Sequence, residues 1–241
     1  MPFTWPPFEF NPGDFSLQNI QERYLDFGIV IERFDTIIEA VLVTILLALL
    51  AELLGIVIGL FVALVRLSSF RVFSFLAQAY VDVFRGTPLL VQLIIIYFTT
   101  PLIGLTFRSL FFAGLVALTL NAGAYVAEIF RGGIQSIDKG QMEAGRASGL
   151  SYAQTMRHII VPQAFRRVIP PLTNEFVMLI KDTSIVSVIG LVELLKATQD
   201  MRNETFNGTP LIAAALIYLA ICIPLIYLAN NLERRLNRRT A

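Results

Sequence analysis

The chain has 241 residues, 56% of them hydrophobic and 15% charged, and its mean hydropathy is +0.69. A net charge of +1 gives no electrostatic footprint for nucleic acid, and one cysteine (Cys222) with one histidine (His158) excludes a disulfide framework and a Cys-based metal site. The apolar residues come in blocks rather than as one amphipathic stripe, so the composition points to an all-α integral membrane protein.

Residues 1–35 are rich in proline, aromatic and acidic residues and read as an extracytoplasmic N-terminal tail. They lack the basic start and short apolar core of a cleavable signal, and their aromatics suit a membrane–water interface. Five transmembrane helices are expected within residues 36–231, at roughly 36–65, 73–103, 110–130, 165–190 and 209–231. Gly86 and Pro88 interrupt the second, and Pro170 and Pro171 fall near the start of the fourth. Gly55 and Gly59 in the first form a small-xxx-small pair that lets another helix approach closely.

Arg and Lys in the connecting segments set orientation. Arg66 and Arg71 follow the first span; Arg131, Lys139, Arg146, Arg157, Arg166 and Arg167 fill the long polar island before the fourth; Arg234, Arg235, Arg238 and Arg239 end the chain. With five spans these regions share one side, read as cytoplasmic, so the N-terminus is outside and residues 232–241 form a cytoplasmic tail.

Charges inside the spans stand out, because one at the bilayer centre costs about 2.5–3.5 kcal/mol on insertion scales. Arg85, Glu128, Lys181 and Asp182 are such residues. Arg85 and Gln92 are seven apart, and Asn121, Tyr125 and Glu128 share one helical face. Thr87 and Thr183 add hydroxyls beside these charges. The group reads either as the lining of a cavity for a zwitterion or as an ion-pair network that locks the bundle; Glu128 pairing with Arg131 three residues on is a competing local reading. Glu52 stands alone in the first span and points into the bundle, to a subunit interface, or toward Arg85. An ion- or proton-coupled carrier or channel built on these charges is the alternative function. An intramembrane enzyme lacks the histidine cluster or nucleophile–base pair it would need, and no GxxxxGK[ST] phosphate loop occurs.

The polar island carries Glu143-Ala144-Gly145, Gly149 and Pro162 at a spacing that resembles the cytoplasmic EAA loop (136–162 here) of ABC-importer permeases. FRGTPLLVQL (84–93), LTLNAGAYVAEIFRGGIQSI (118–137), LIKDTSIVSVIGLVEL (179–194) and LERRL (232–236) are similar to the polar amino acid permeases of that class, so the resemblance spans about residues 36–236. Gly145 stands where the family has a second alanine, and Glu52 where an apolar residue or glycine is usual. A glycine there is expected to loosen the loop helix.

The resemblance implies a type I ABC importer permease: a five-helix subunit of the bacterial inner membrane with no cofactor or catalytic site of its own. It works with a second copy or paralogue, two ATP-binding cassette ATPases docked on the EAA loops, and an extracytoplasmic binding protein that delivers an amino acid. Arg85, Thr87, Gln92, Asn121, Glu128, Lys181, Asp182 and Thr183 fall in the three substrate-lining motifs. Glu143, Ala144, Gly145, Gly149 and Pro162 fall in the ATPase-coupling motif. The expected topology is testable: a cysteine placed at Ser16 reacts with an impermeant thiol reagent applied outside, and one at Thr240 does not; the reverse pattern overturns it.

Overall fold

The computed structural model describes residues 17–68, 70–104 and 106–237; the proline-rich start of the tail and the last four residues lie outside the described residues. Every described regular element is helical. α1 (Leu17–Tyr24) and α2 (Gly28–Glu32) precede α3 (Phe34–Arg66), which has no proline and, within it, only Gly55 and Gly59 as weak helix formers. Its 33 residues extend about 50 Å at 1.5 Å per residue, more than a hydrocarbon core requires. A stripe of large apolar side chains along it, including Leu42, Leu46, Leu49, Leu53, Val57, Phe61 and Leu64, is exposed. A stripe that long is stable only against lipid or another subunit.

The opposite face of α3 packs on α6 (Leu110–Gln135). Small residues set the distance. A Cβ on Gly59 would lie 2.6 Å from Val126 Cγ1 and 2.9 Å from the Ala127 nitrogen, and one on Gly55 3.0 Å from Ala122 Cβ. In lipid, where apolar surface gains little by leaving the solvent, such close van der Waals contact supplies the association. Leu47 and Ala51 of α3 join Leu93, Leu118, Leu179 and Val186 in the main core.

The expected second span is two helices, α4 (Arg71–Gly86) and α5 (Leu89–Thr99), bent by 108°. Pro88 has no N–H, so the carbonyl of Phe84, four residues back, loses its helical donor. Side chains replace it: Gln92 Nε2 donates to the Phe84 oxygen at 2.8 Å and Asn121 Nδ2 does so at 3.3 Å. Thr87 Oγ1 donates to the Val83 oxygen at 2.7 Å. A short 3₁₀ turn (Thr100–Ile103) leads on toward α6.

After α6 come α7 (Lys139–Ala147), α8 (Tyr152–Thr155), a π turn (Met156–Ile160) and α9 (Val161–Asp182). α9 passes through Pro170 and Pro171 without ending. It buries Ala164, Val168, Val177 and Ile180 on one side and carries Arg166, Arg167, Asn174 and Lys181 exposed on the other. The expected fourth span is therefore this two-faced helix followed by a 3₁₀ segment (Thr183–Ile189). By length and composition three described helices can cross a membrane, α3, α6 and α11 (Thr209–Asn237, apolar over Thr209–Arg234), or four with the bent pair taken as one crossing. α11 continues to Asn237, so most of the expected C-terminal tail prolongs a helix.

α10 (Leu194–Thr205) is fastened at its start by Glu193, whose carboxylate accepts from the nitrogens of Leu195 (3.0 Å) and Lys196 (2.8 Å) and from Tyr218 Oη (2.9 Å). Burial pushes this carboxyl up, and the backbone N–H bonds oppose that shift. α1 and α11 are tied through Gly208, whose nitrogen donates to the Arg23 oxygen at 2.7 Å. The knee between α4 and α5 generates a prediction. Gln92→Leu strips Asn121 of an acceptor and the Phe84 carbonyl of a donor, costing about 1–3 kcal/mol; the purified protein unfolds at a lower temperature, while Val91→Leu on the exposed side leaves the midpoint unchanged.

Candidate functional site

The face of α6 bearing Asn121, Tyr125 and Glu128 turns to α4, as the seven-residue spacing predicts. The Arg85 guanidinium lies 5.4 Å from the Tyr125 ring centroid and 3.6 Å from Glu128 Oε2. Glu128 is also bound by Arg131, at 2.7 Å, and by Arg66. The local Glu128–Arg131 pair is thus present, but inside a larger cluster. Arg66 holds Gln78 as well, and Gln78 Nε2 donates to Asp82 at 2.6 Å. Three guanidinium groups around one carboxylate leave surplus positive charge. Arg85 is the most weakly held of the three and the most exposed, at 42% of its side chain. The role of Arg66 was hidden in the sequence, because 62 residues separate it from Glu128.

Thr87, Gln92 and Asn121 come together, and their polar atoms are engaged with one another and with the α4–α5 break. Asn121 Nδ2 donates to Gln92 Oε1 at 2.9 Å, and Gln92 Nε2 approaches Thr87 Oγ1 at 2.9 Å. Thr183 is fully buried and donates to the Ile180 oxygen at 2.7 Å. Gln92, Asn121 and Thr183 are buried, while Thr87 is exposed at the break.

The open chemistry lies on α9. Lys181 is exposed, and Asp182 and Glu175 are half-buried. α4 carries the Arg85 guanidinium, and α9 carries the carboxylates of Glu175 and Asp182. Glu175 lines a cavity of about 630 Å³ together with Gly133, Arg166, Arg167, Asn174 and Met178. Sequence reasoning missed Glu175, although it lies seven residues before Asp182, a spacing that puts both on one helical face. Glu52 faces inward from α3 and is buried.

α7, which carries Glu143, Ala144 and Gly145, forms one compact unit with the turn after it. Asp138 caps its start by accepting from the Gly140 nitrogen at 2.6 Å. Its C-terminus closes with Leu150 N to Gly145 O and Gly149 N to Arg146 O, both 3.1 Å, with Gly149 at φ +83°. That is the 6→1 and 5→2 pattern that requires a left-handed residue after the helix. Gly145, expected to loosen the helix, lies inside α7. It is buried, and a Cβ there would lie 2.5 Å from Thr155 Cγ2, so its bareness lets the next turn pack on α7. Ser151 and Gln154 cap that turn reciprocally. Glu143, Ala144 and Pro162 are exposed, which leaves an outward surface on a braced scaffold.

The model of the binding-protein-dependent transport system inner membrane component family matches residues 55–238. The arginine transport system permease protein ArtQ of Bacillus subtilis is 40% identical over 214 residues, 88% of this chain and 97% of that protein. A putative glutamine transport system permease protein, GlnP of Rickettsia bellii, is 41% identical over 202 residues, 83% of this chain and 92% of its own length. Among solved structures, an amino acid ABC transporter crystallised with histidines superimposes with a TM-score of 0.83 at 39% identity, over 87% of this chain and 98% of that one. The MetNI methionine ABC transporter shares the fold, with a TM-score of 0.73 at 21% identity. The α-helical architecture, the braced α7 loop and these likenesses together place the chain in the binding-protein-dependent transport system inner membrane component family, as a permease subunit of an ABC importer.

Proposed function

We propose that this permease carries a polar amino acid across the bacterial inner membrane, handed over by an extracytoplasmic binding protein and driven by two ATPase subunits seated on the α7 loops of a paired permease. What supports the reading is the likeness to amino acid permeases at about 40% identity, together with a partly exposed Arg85 on α4 and the acids Glu175 and Asp182 on α9. An α-amino acid has a carboxylate for the guanidinium and an ammonium for the acids, and Lys181 adds a second cation at the α9 end. Thr87, Gln92, Asn121 and Thr183 hold the walls, and Glu128 anchors Arg85. The permease hydrolyses nothing itself; ATP hydrolysis belongs to the partner.

Transport by alternating access needs a rigid connection from ATPase to spans. Glu143 and Ala144 supply the contact surface and Gly145, Gly149 and Pro162 the shape of the unit that transmits motion. The five-span count, which rests on the apolar blocks, belongs to the same reading, as do the outside N-terminus and the inside C-terminus, which rest on the distribution of Arg and Lys.

The test is reconstitution in liposomes with the ATPase and the binding protein, measuring ATP-dependent uptake of labelled amino acids. Charged hydrogen bonds contribute about 1.5–3 kcal/mol, so Asp182→Asn lowers uptake at least tenfold with the assembly intact. Gly149→Val places a branched residue at a left-handed φ and lets ATP hydrolysis run without uptake or prevents ATPase docking. Uptake that persists without any ATPase would favour the ion-coupled carrier instead.

A further inference from the structure

Glu128 is one carboxylate with three guanidinium groups around it. Arg131, one turn on along α6, holds it with both arms of its fork: Nε lies 3.3 Å from Oε1 and Nη2 2.7 Å from Oε2. Arg66 of α3 donates to Oε1 as well. The oxygen that Arg85 faces is Oε2, the one Arg131 occupies, and Arg85 Nη1 stops 3.6 Å short of it. That is an ion pair without a hydrogen bond. Asp82, three residues before Arg85 on α4, is engaged by Gln78 Nε2 at 2.6 Å and forms no ion pair among the described residues. Counted with Asp82, the cluster holds three cations and two anions, and the uncompensated charge falls on Arg85. Its guanidinium is steadied instead by the Tyr125 ring, 5.4 Å from the centroid.

We propose that Arg131 is a positioning residue for the substrate: by occupying Glu128 Oε2, with Arg66 on Oε1, it keeps Arg85 from closing into a full salt bridge and leaves that guanidinium for the α-carboxylate of the amino acid. The inference rests on the amino acid reading above and names the group of the substrate that Arg85 reads. A carboxylate has room for about four hydrogen bonds, and its one negative charge is divided among the cations around it. Two guanidinium groups at hydrogen-bond distance leave little attraction for a third, and they repel it. Without Arg131, Oε2 is free, and the Arg85 side chain needs only to rotate to close 3.6 Å into a charge-assisted bond. A substrate carboxylate then has to break that bond before it forms its own. An α-amide carries no charge and gains far less from Arg85 in either case.

The permease–ATPase complex, purified without the binding protein so that only the membrane site is read, is titrated with labelled arginine and labelled glutamine and with the α-amide of each. For the better bound of the two, the wild type prefers acid to amide at least tenfold; no such preference overturns the proposal. Arg131→Gln cuts the preference at least fivefold while the number of binding sites stays constant. It is expected to assemble, because a partly exposed pair three residues apart on one helix adds little stability. Arg131→Lys, which keeps a cation beside Oε2, retains the preference. Arg131→Gln combined with Glu128→Gln restores it, since a neutral amide no longer captures Arg85 and the Tyr125 ring still carries it. An unchanged preference in Arg131→Gln overturns the proposal, as does an equal loss of acid and amide, which marks a structural role. A double variant as poor as Arg131→Gln overturns it too, because the loss then does not run through Glu128. If the wild-type complex with its binding protein shows no ATP-driven uptake of any amino acid, the amino acid reading itself fails; if uptake is normal and Arg131→Gln leaves the preference unmoved, only the role of Arg131 does.

Discussion

The close approach of α3 and α6 is the constraint on which the rest of the structure depends. With Gly59 nearly against the Ala127 backbone and Gly55 against Ala122, the two helices form one slab. The slab positions both charged clusters. Arg66, at the end of α3, reaches Glu128 on α6 because the axes are this near, and Glu52, on the same face of α3 as Gly55 and Gly59, is sealed inside. α4 is then bonded to the slab by Tyr80, whose hydroxyl donates to the Leu120 oxygen at 2.6 Å. Arg85 is carried on α4, where it lies over Tyr125 and reaches Glu128 of α6, and Glu175 is carried on α9.

The polar groups follow a second rule of apolar surroundings: a backbone group that loses its partner must find another within the protein. The knee at Pro88 obeys it through Gln92 and Asn121, the start of α10 through Glu193, and the end of α7 through Gly149. The first two devices join two elements while they repair one; the third closes its own helix end. Glu52 is the exception, and the only carboxylate among the described residues whose two oxygens are both buried without a partner.

Much of this was legible in the sequence. Blocks of apolar residues located α3, α6 and α11, because a span announces itself by length alone. Gly86 and Pro88 marked the knee, and seven-residue spacing predicted that Asn121, Tyr125 and Glu128 share a face. Less legible was whatever depends on distant residues meeting. Thr87, Gln92 and Asn121 look like free hydrogen-bonding groups in one dimension and prove to be occupied in three. Arg66 reads as a loop-side charge and proves to be a partner of Glu128. Glu175 was overlooked because α9 is amphipathic, and its polar face blended with the basic island before it. The expected loosening by Gly145 assumed an isolated helix, whereas the glycine matters for what packs on it.

The bonds at the far end from α7 have a consequence for how the protein is made. Leu194 N donates to Thr44 Oγ1 across 150 residues, Asp26 N to Thr209 Oγ1 across 183, and Asn207 Nδ2 to the Glu22 oxygen across 185. The earliest described helices are therefore fastened by residues made more than 180 positions later in the chain. Until α11 is inserted, α1 and α2 lack these anchors and α10 lacks Tyr218. That end of the molecule closes only after the corner between α10 and α11 has been made, so a chain halted before Asn207 lacks every bond that joins Glu22, Arg23 and Asp26 to it.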